Sequence, residues 1–170
     1  MTLTTHSIVG VATARLFSFN PVVAFLAAFV SHFLIDAIPH WDYHLKSAKT
    51  NLENPLESDM LINRDFIFDF GKIAFDAILG ALLSFIIFQP SDGAETQILI
   101  FGVVGGILPD PLQFLYYKFR HEPLISLQKF HLWIHTKRKL ENKLTGIFLQ
   151  FLLVLVIVIF SFMLGWFIPL

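Results

Sequence analysis

The sequence contains no cysteine, and charged residues occupy only 15% of its 170 positions. Without cysteine, the chain forms no disulfide and offers no thiolate to a metal ion. The formal net charge of -1 argues against a basic surface for nucleic acid, so we predict no nucleic-acid partner. Metal chemistry in this chain is therefore left to histidine and carboxylate side chains.

Hydrophobic residues are abundant, at 55% of the chain, and 20 of them are Phe. Segment 144–170 has no charged residue and exceeds the roughly 20 apolar residues that a helix needs to cross a bilayer. Three further segments, 21–38, 66–88 and 94–117, are also long enough. We therefore predict an all-α, polytopic membrane helical bundle with about four spanning helices, forming a single integral membrane domain over residues 1–170.

Two shorter helices and a polar loop complete the predicted architecture. Residues 4–17 predict a short N-terminal helix that forms a hairpin with the helix at 21–38. Residues 39–65 predict a polar loop that ends at Asn63, a good helix N-cap, and residues 121–143 predict an amphipathic interfacial helix. Lys and Arg are frequent in these last two segments, which indicates that both lie on the cytoplasmic side.

Ionisable residues interrupt the apolar helices at one predicted depth. His32 and Asp36 are four residues apart and share a helical face. Antiparallel register in the first hairpin brings His6 level with His32, and in the second hairpin Asp76 and Asp110 fall at similar depths. Because an isolated charge in the bilayer costs about 2.5 to 3.5 kcal/mol, we expect these groups to converge in the cytoplasmic half of the membrane.

A convergent set of imidazoles and carboxylates without thiolates suits Zn²⁺, with Mn²⁺ and iron as alternatives. More donors flank the apolar helices. His40, Asp42 and His44 follow the end of one of them, and His131 and His135 are four apart on the amphipathic segment. The predicted metal ligands are His6, His32, Asp36, His40, Asp110, His131 and His135.

Two residues on the helix at 66–88 are predicted to be catalytic. Asp76 and Lys72 share one helical face, and Lys72 is expected to stabilise negative charge that develops on a phosphoryl or acyl oxygen. Gly102 and Gly106 on the next helix are predicted to let its backbone approach the helix at 66–88 closely.

Three sequence blocks resemble those of a known family. THSIVG at 5–10, SHFLIDAIPHWD at 31–42 and GGILPD at 105–110 are similar to blocks of the membrane-bound metal-dependent hydrolases. These are small bacterial inner-membrane proteins, thought to be related to zinc-dependent phospholipase C and the fungal single-strand nucleases. The resemblance implies metal-ligand roles for His6, His32, Asp36 and Asp110.

The resemblance implies a hydrolase in the cytoplasmic membrane of a bacterium or archaeon. The predicted depth of the ligands, near the cytoplasmic headgroups, favours membrane lipid as a partner and a lipid or phosphoester as substrate. Leu112 and Gln113 stand where the family often has Asp and His. Two other functions stay open: a transport or scaffold protein with a proton or cation relay, and a redox protein with histidine-bound haem or di-iron.

Overall fold

The computed structural model describes residues 1–138 and 140–167, and this part of the chain is an all-α bundle, as predicted. Its only strands are β1 (Ala48–Lys49) and β2 (Asp59–Met60), which pair antiparallel, and Pro55–Glu57 forms one 3-10 turn. The helices are α1 (Leu3–Arg15), α2 (Pro21–Asp36), α3 (Arg64–Phe88), α4 (Gly93–Ile107), α5 (Pro109–Phe119), α6 (Leu124–Ile134) and α7 (Lys143–Phe167).

Two helices in the described residues, α3 and α7, are long and apolar enough to cross a membrane. Helices α4 and α5 qualify together as a third span that bends by 44° between them. The prediction of four spans is therefore wrong for this part of the chain. The predicted span at 21–38 is a helix of only 16 residues, Pro21–Asp36, which is shorter than the roughly 20 residues that a crossing requires.

Two other predicted segments differ in extent. Among the described residues of the amphipathic segment 121–143, helix α6 covers only Leu124–Ile134 and ends where His135 has extended backbone angles, and Lys143 already begins α7. Lys139 in that segment and the last three residues of the predicted final span, 168–170, lie outside the described residues.

Capping side chains fix where several helices begin. Asn20 precedes Pro21, the first residue of α2, and its side chain accepts hydrogen bonds from the first turn. Asn63 caps α3 by accepting from the Phe66 N–H, and Asp92 caps α4 in the same way. Short polar residues of this kind satisfy the N–H groups that the first turn of a helix leaves unpaired. The predicted cap at Asn63 is confirmed.

Helix α1 lies at the centre of the bundle and contacts α2, α3, α4 and α7. It is buried along most of its length. Glycines on α4 allow this packing: a Cβ atom on Gly106 would overlap the His6 carbonyl oxygen, and one on Gly102 would lie 2.6 Å from the Val11 Cα atom. The α4 glycines therefore face α1, whereas the sequence predicted a close approach to α3.

Gln150 connects α7 to the start of α1 and to the loop after α2. Its Oε1 atom accepts hydrogen bonds from Thr2 and from the Thr5 hydroxyl, each at 3.1 Å. Its Nε2 atom donates to the Trp41 carbonyl oxygen at 2.7 Å. An amide in an apolar helix needs such partners. This one links α7, the start of α1 and the loop that follows α2.

Candidate metal centre

Asp36, the last residue of α2, lies at the centre of a cluster of histidines and is only 2% exposed. Five of the seven histidines in the chain direct their Nε2 atoms at its two carboxylate oxygens. The distances are 3.2 Å for His6, 3.2 Å for His32, 3.3 Å for His131, 3.8 Å for His40 and 3.9 Å for His135. The remaining two, His44 and His121, are exposed.

The hairpin of α1 and α2 places the first two histidines side by side. The His6 and His32 rings are stacked, with centroids 3.9 Å apart and planes 17° from parallel, and both residues are 0% exposed. The glycine at 106 lets the backbone of α4 come close to His6. The two imidazoles therefore lie at the same level of the hairpin, as its antiparallel register predicted.

Three of the histidines are oriented by the same type of hydrogen bond. The Nδ1 atom of His32 lies 2.8 Å from the Gly106 carbonyl oxygen, that of His40 lies 2.7 Å from the Ile38 carbonyl oxygen, and that of His135 lies 3.0 Å from the Thr136 carbonyl oxygen. A carbonyl oxygen only accepts, so each Nδ1 carries a hydrogen and, in the neutral ring, Nε2 presents a lone pair. Metal-binding histidines are usually held in this way.

Helix α6 folds over the end of α2 and delivers His131. Phe130 packs against Phe33 with ring centroids 5.0 Å apart, and the His131 ring contacts both Phe33 and His32. After α6, the Thr136 N–H donates to the Asp36 carbonyl oxygen at 2.9 Å. This hydrogen bond holds the segment after α6 against the C-terminal end of α2, where Asp36 lies.

Asp110 closes the set from the first turn of α5. Its Oδ1 atom lies 3.6 Å from the His32 Nε2 atom, and its side chain is 35% exposed. In three groups of three residues, one donor atom from each residue lies within 4.8 Å of the others; His32 is common to the first two groups, and Asp36 to the first and the third. These groups are His6, His32 and Asp36; His32, Asp110 and His131; and Asp36, His40 and His135.

We refer to these seven residues as the Asp36 cluster. They are the seven that the sequence predicted as metal ligands, and the structure brings all of them together. Their binding of an ion stays a prediction.

Unpaired nitrogen atoms show that the cluster suits a cation. The Nδ1 and Nε2 atoms of His6 and the Nε2 atoms of His32 and His40 are buried and make no hydrogen bond with the described residues. A buried polar atom without a partner costs about 1 to 3 kcal/mol. Protonating every ring is no remedy, because five positive charges would then surround one carboxylate. A single divalent cation satisfies several lone pairs at once.

Asp42 and the Met1 ammonium lie beside the cluster. The ammonium nitrogen is 3.2 Å from Asp36 Oδ1 and 2.8 Å from Asp42 Oδ1, and His40 Nε2 is also 3.2 Å from Asp42. Burial would raise the pKa of the Asp42 carboxyl, but His40 and the ammonium hold that pKa well below its usual value. Asp42 is therefore a carboxylate at neutral pH and adds negative charge to this region.

The two residues predicted to be catalytic lie on α3, and the structure gives them other partners. Asp76 accepts hydrogen bonds from the Leu3 N–H at 2.5 Å and from the Thr4 hydroxyl at 2.6 Å, so it caps α1. Lys72 donates to Asp69 at 2.9 Å, and its side chain is 50% exposed. Neither residue belongs to the three groups of metal donors in the described residues. Their catalytic roles stay predictions.

Tyr43 is a residue near the cluster that the sequence did not single out. It lies in the loop after α2, where burial and the neighbouring carboxylates of Asp76, Asp110 and Asp42 raise the pKa of its hydroxyl. The hydroxyl therefore stays protonated at neutral pH. A single tyrosine in a polar loop gives no sequence signal of this kind.

The chain matches no protein-family model, no curated protein and no solved structure. The geometry of the buried histidines and carboxylates is therefore the main basis for a functional conclusion.

Proposed function

We propose that the protein is an integral membrane, metal-dependent hydrolase whose Asp36 cluster holds at least one divalent cation. The observation that carries this proposal is the arrangement of five imidazole Nε2 atoms within 3.9 Å of one buried carboxylate. Several of those nitrogens have no hydrogen bond with any described residue. Two helices long enough to cross a membrane support the cellular location.

Zinc is the ion that best fits these donors. The cluster offers imidazole nitrogen and carboxylate oxygen and no sulfur, which suits Zn²⁺ and, less strongly, Mn²⁺ and iron. Imidazole-rich sites bind Zn²⁺ more tightly than Mn²⁺ or Fe²⁺ in the usual order of affinities. His6, His32 and Asp36 form the most buried of the three groups, so we assign the tightest site to them.

The exposed edge of the cluster is where a substrate would approach. Asp110 is 35% exposed and His135 is 25% exposed, whereas the other five side chains are nearly inaccessible. A bound divalent cation supplies Lewis-acid chemistry, which polarises a phosphoryl or carbonyl oxygen and makes water more acidic.

The proposed substrate is a phosphoester or a lipid near the cytoplasmic headgroups. Lys and Arg are frequent in segments 39–65 and 121–143, which contribute His40, His131 and His135 to the cluster, and this favours a cytoplasmic position for the cluster. The resemblance of residues 5–10, 31–42 and 105–110 to the membrane-bound metal-dependent hydrolases supports the same class of reaction and a bacterial or archaeal membrane.

The stacking of His6 on His32 disfavours one of the other functions. Two axial ligands of a haem must stand on opposite sides of the porphyrin, and ring centroids 3.9 Å apart leave no room for a macrocycle between them. A di-iron site and a cation relay are distinguished from a zinc site by metal content.

Elemental analysis of the detergent-purified protein tests the proposal. We expect stoichiometric zinc in the wild type, near-background zinc in His32→Ala, and wild-type zinc in His44→Ala, a matched change at an exposed histidine. Turnover of a phosphodiester or a lipid ester in a substrate panel, lost in His32→Ala and retained in His44→Ala, would support hydrolysis. Equal metal content in both variants, or no hydrolysis of any substrate by the zinc-loaded protein, would overturn the proposal.

A further inference from the structure

A cavity of about 500 Å³ opens at the N-terminal end of α3, and none of its lining residues belongs to the Asp36 cluster. Three of the five lining side chains are basic, one is acidic and one is aromatic. They are Lys46, Arg64, Lys72, Asp65 and Phe68.

The positive charge of this cavity is only partly neutralised by the protein. Lys72 is paired with Asp69 at 2.9 Å, and Asp69 is itself held by the Ser47 N–H and hydroxyl, each at 2.8 Å. Lys46 and Arg64 form no ion pair with any described residue. Asp65 contributes one negative charge, so the cavity keeps an excess of positive charge for an anion.

The position of the cavity along α3 matches the level of lipid headgroups. Arg64 is the first residue of a helix that is long and apolar enough to cross a membrane. Phe68, one turn further, is 61% exposed, and Phe75 and Ile78 continue the exposed apolar surface towards the bilayer interior. A ligand in the cavity would therefore have its charged part beside Lys46 and Arg64 and an apolar part beside Phe68.

We propose that this cavity binds the phosphate group of an anionic phospholipid. The Arg64 guanidinium and the Lys46 ammonium pair with the phosphate oxygens, and the acyl chains lie along the apolar face of α3. Arginine suits phosphate because its planar donors match two oxygens at once, and basic pockets at the cytoplasmic ends of membrane helices bind anionic headgroups. The proposal does not rest on the Asp36 cluster, and of the predicted site residues only Lys72 lines the cavity.

Lipid titration of the delipidated protein in detergent, read out by native mass spectrometry, tests this site. The probes are phosphatidylglycerol, zwitterionic phosphatidylcholine and inorganic phosphate alone. We expect the first phosphatidylglycerol to bind at least about tenfold more tightly than phosphatidylcholine. In the double variant Lys46→Gln/Arg64→Gln its affinity should fall on the order of 30-fold, since each basic residue near a membrane surface contributes about fivefold.

Two further variants make the result specific to the cavity. Lys49→Gln/Lys129→Gln removes the same charge from exposed positions outside it and should bind phosphatidylglycerol within about twofold of the wild type, because neither side chain lines the cavity. Lys46→Arg/Arg64→Lys keeps the charge and should retain most of the affinity, which separates loss of binding from misfolding.

Three outcomes would overturn the assignment. They are unchanged phosphatidylglycerol binding in Lys46→Gln/Arg64→Gln, an equal loss in Lys49→Gln/Lys129→Gln, and binding of inorganic phosphate as tight as that of the lipid. The last result would assign the cavity to a free anion.

Discussion

The bundle contains two groups of carboxylates that differ in their partners: those on α3 face only hydrogen-bond donors, whereas Asp36 faces one ammonium and several imidazole nitrogens. On α3, Asp69 and Asp76 accept hydrogen bonds from backbone N–H, hydroxyl and ammonium groups. All of these partners are donors. At the end of α2, Asp36 is surrounded by imidazoles, and at least two of them, His32 and His40, turn their N–H towards a carbonyl oxygen and a lone pair towards the carboxylate.

This difference separates a structural carboxylate from a ligand. A carboxylate whose oxygens all face hydrogen-bond donors has its hydrogen bonds satisfied, and it stabilises the fold without further partners. The lone pairs of His32, His40 and His135 lie 3.2 to 3.9 Å from the Asp36 carboxylate, and two acceptors at such distances repel each other unless a proton or a metal ion lies between them. We therefore predict a structural role for Asp69 and Asp76 and cation binding for Asp36, and each prediction can be tested separately.

The largest expected effect is the loss of metal from Asp36→Asn. The substitution removes the charge that is common to two of the three donor groups, so the purified variant should contain near-background zinc. Asp76→Asn serves as the matched control on α3 and should keep the wild-type zinc content. Elemental analysis measures both. Equal zinc in the two variants would contradict the predicted difference between Asp36 and the carboxylates on α3.

Metal removal should destabilise the wild type and leave Asp36→Asn unchanged. An ion present at 1,000 times its Kd stabilises the folded state by about 4 kcal/mol, so a chelator should lower the Tm of the wild type by several degrees. Thermal unfolding in detergent with and without chelator measures the shift. A shift of the same size in Asp36→Asn would mean that the stabilising ion binds elsewhere.

Asp76→Ala should reduce stability without changing metal content. The hydrogen bonds from Leu3 and Thr4 are lost, and donors paired with a charged group contribute about 1.5 to 3 kcal/mol each before the chain relaxes. We therefore expect a net loss of about 2 to 3 kcal/mol in the free energy of unfolding. Denaturant unfolding followed by circular dichroism measures this loss. A fall in zinc to background would instead move Asp76 into the metal centre.

The smallest effect is expected from an ion pair outside both groups. Lys118 lies 2.7 Å from Asp59, and this contact lowers the pKa of the Asp59 carboxyl. A lowered pKa adds stability above the usual carboxyl pKa and loses it as the pH falls towards the folded-state value. Asp59→Asn should thus cost about 0.5 kcal/mol at neutral pH. The difference in Tm from the wild type should disappear in acid.

The hairpin of α1 and α2 illustrates what could be predicted from the sequence. Helical spacing placed His32 and Asp36 on one face, and the short turn between the helices set His6 at the level of His32. Both relations depend on distances along one or two helices, which the rise per residue determines. The structure has the two rings stacked at 3.9 Å.

Relations between distant segments were harder to predict. Apolar length alone made 21–38 a membrane span, although α2 ends at Asp36, where the chain turns into the loop that carries His40. Asp76 was paired in the prediction with other side chains, but its partners include the backbone N–H of Leu3, and backbone groups leave no trace in a sequence. The face that Gly106 presents to α1 depends on a helix rotation that spacing does not determine.

The order of the ligands along the chain sets the order in which they can be used during synthesis. His6, His32 and Asp36 form one complete donor group within the first two helices. His131 follows 95 residues after Asp36 and leaves the ribosome much later. A nascent chain therefore contains all three residues of this donor group before α3 is synthesised, whereas the Gly106 carbonyl oxygen that orients His32 follows only with α4.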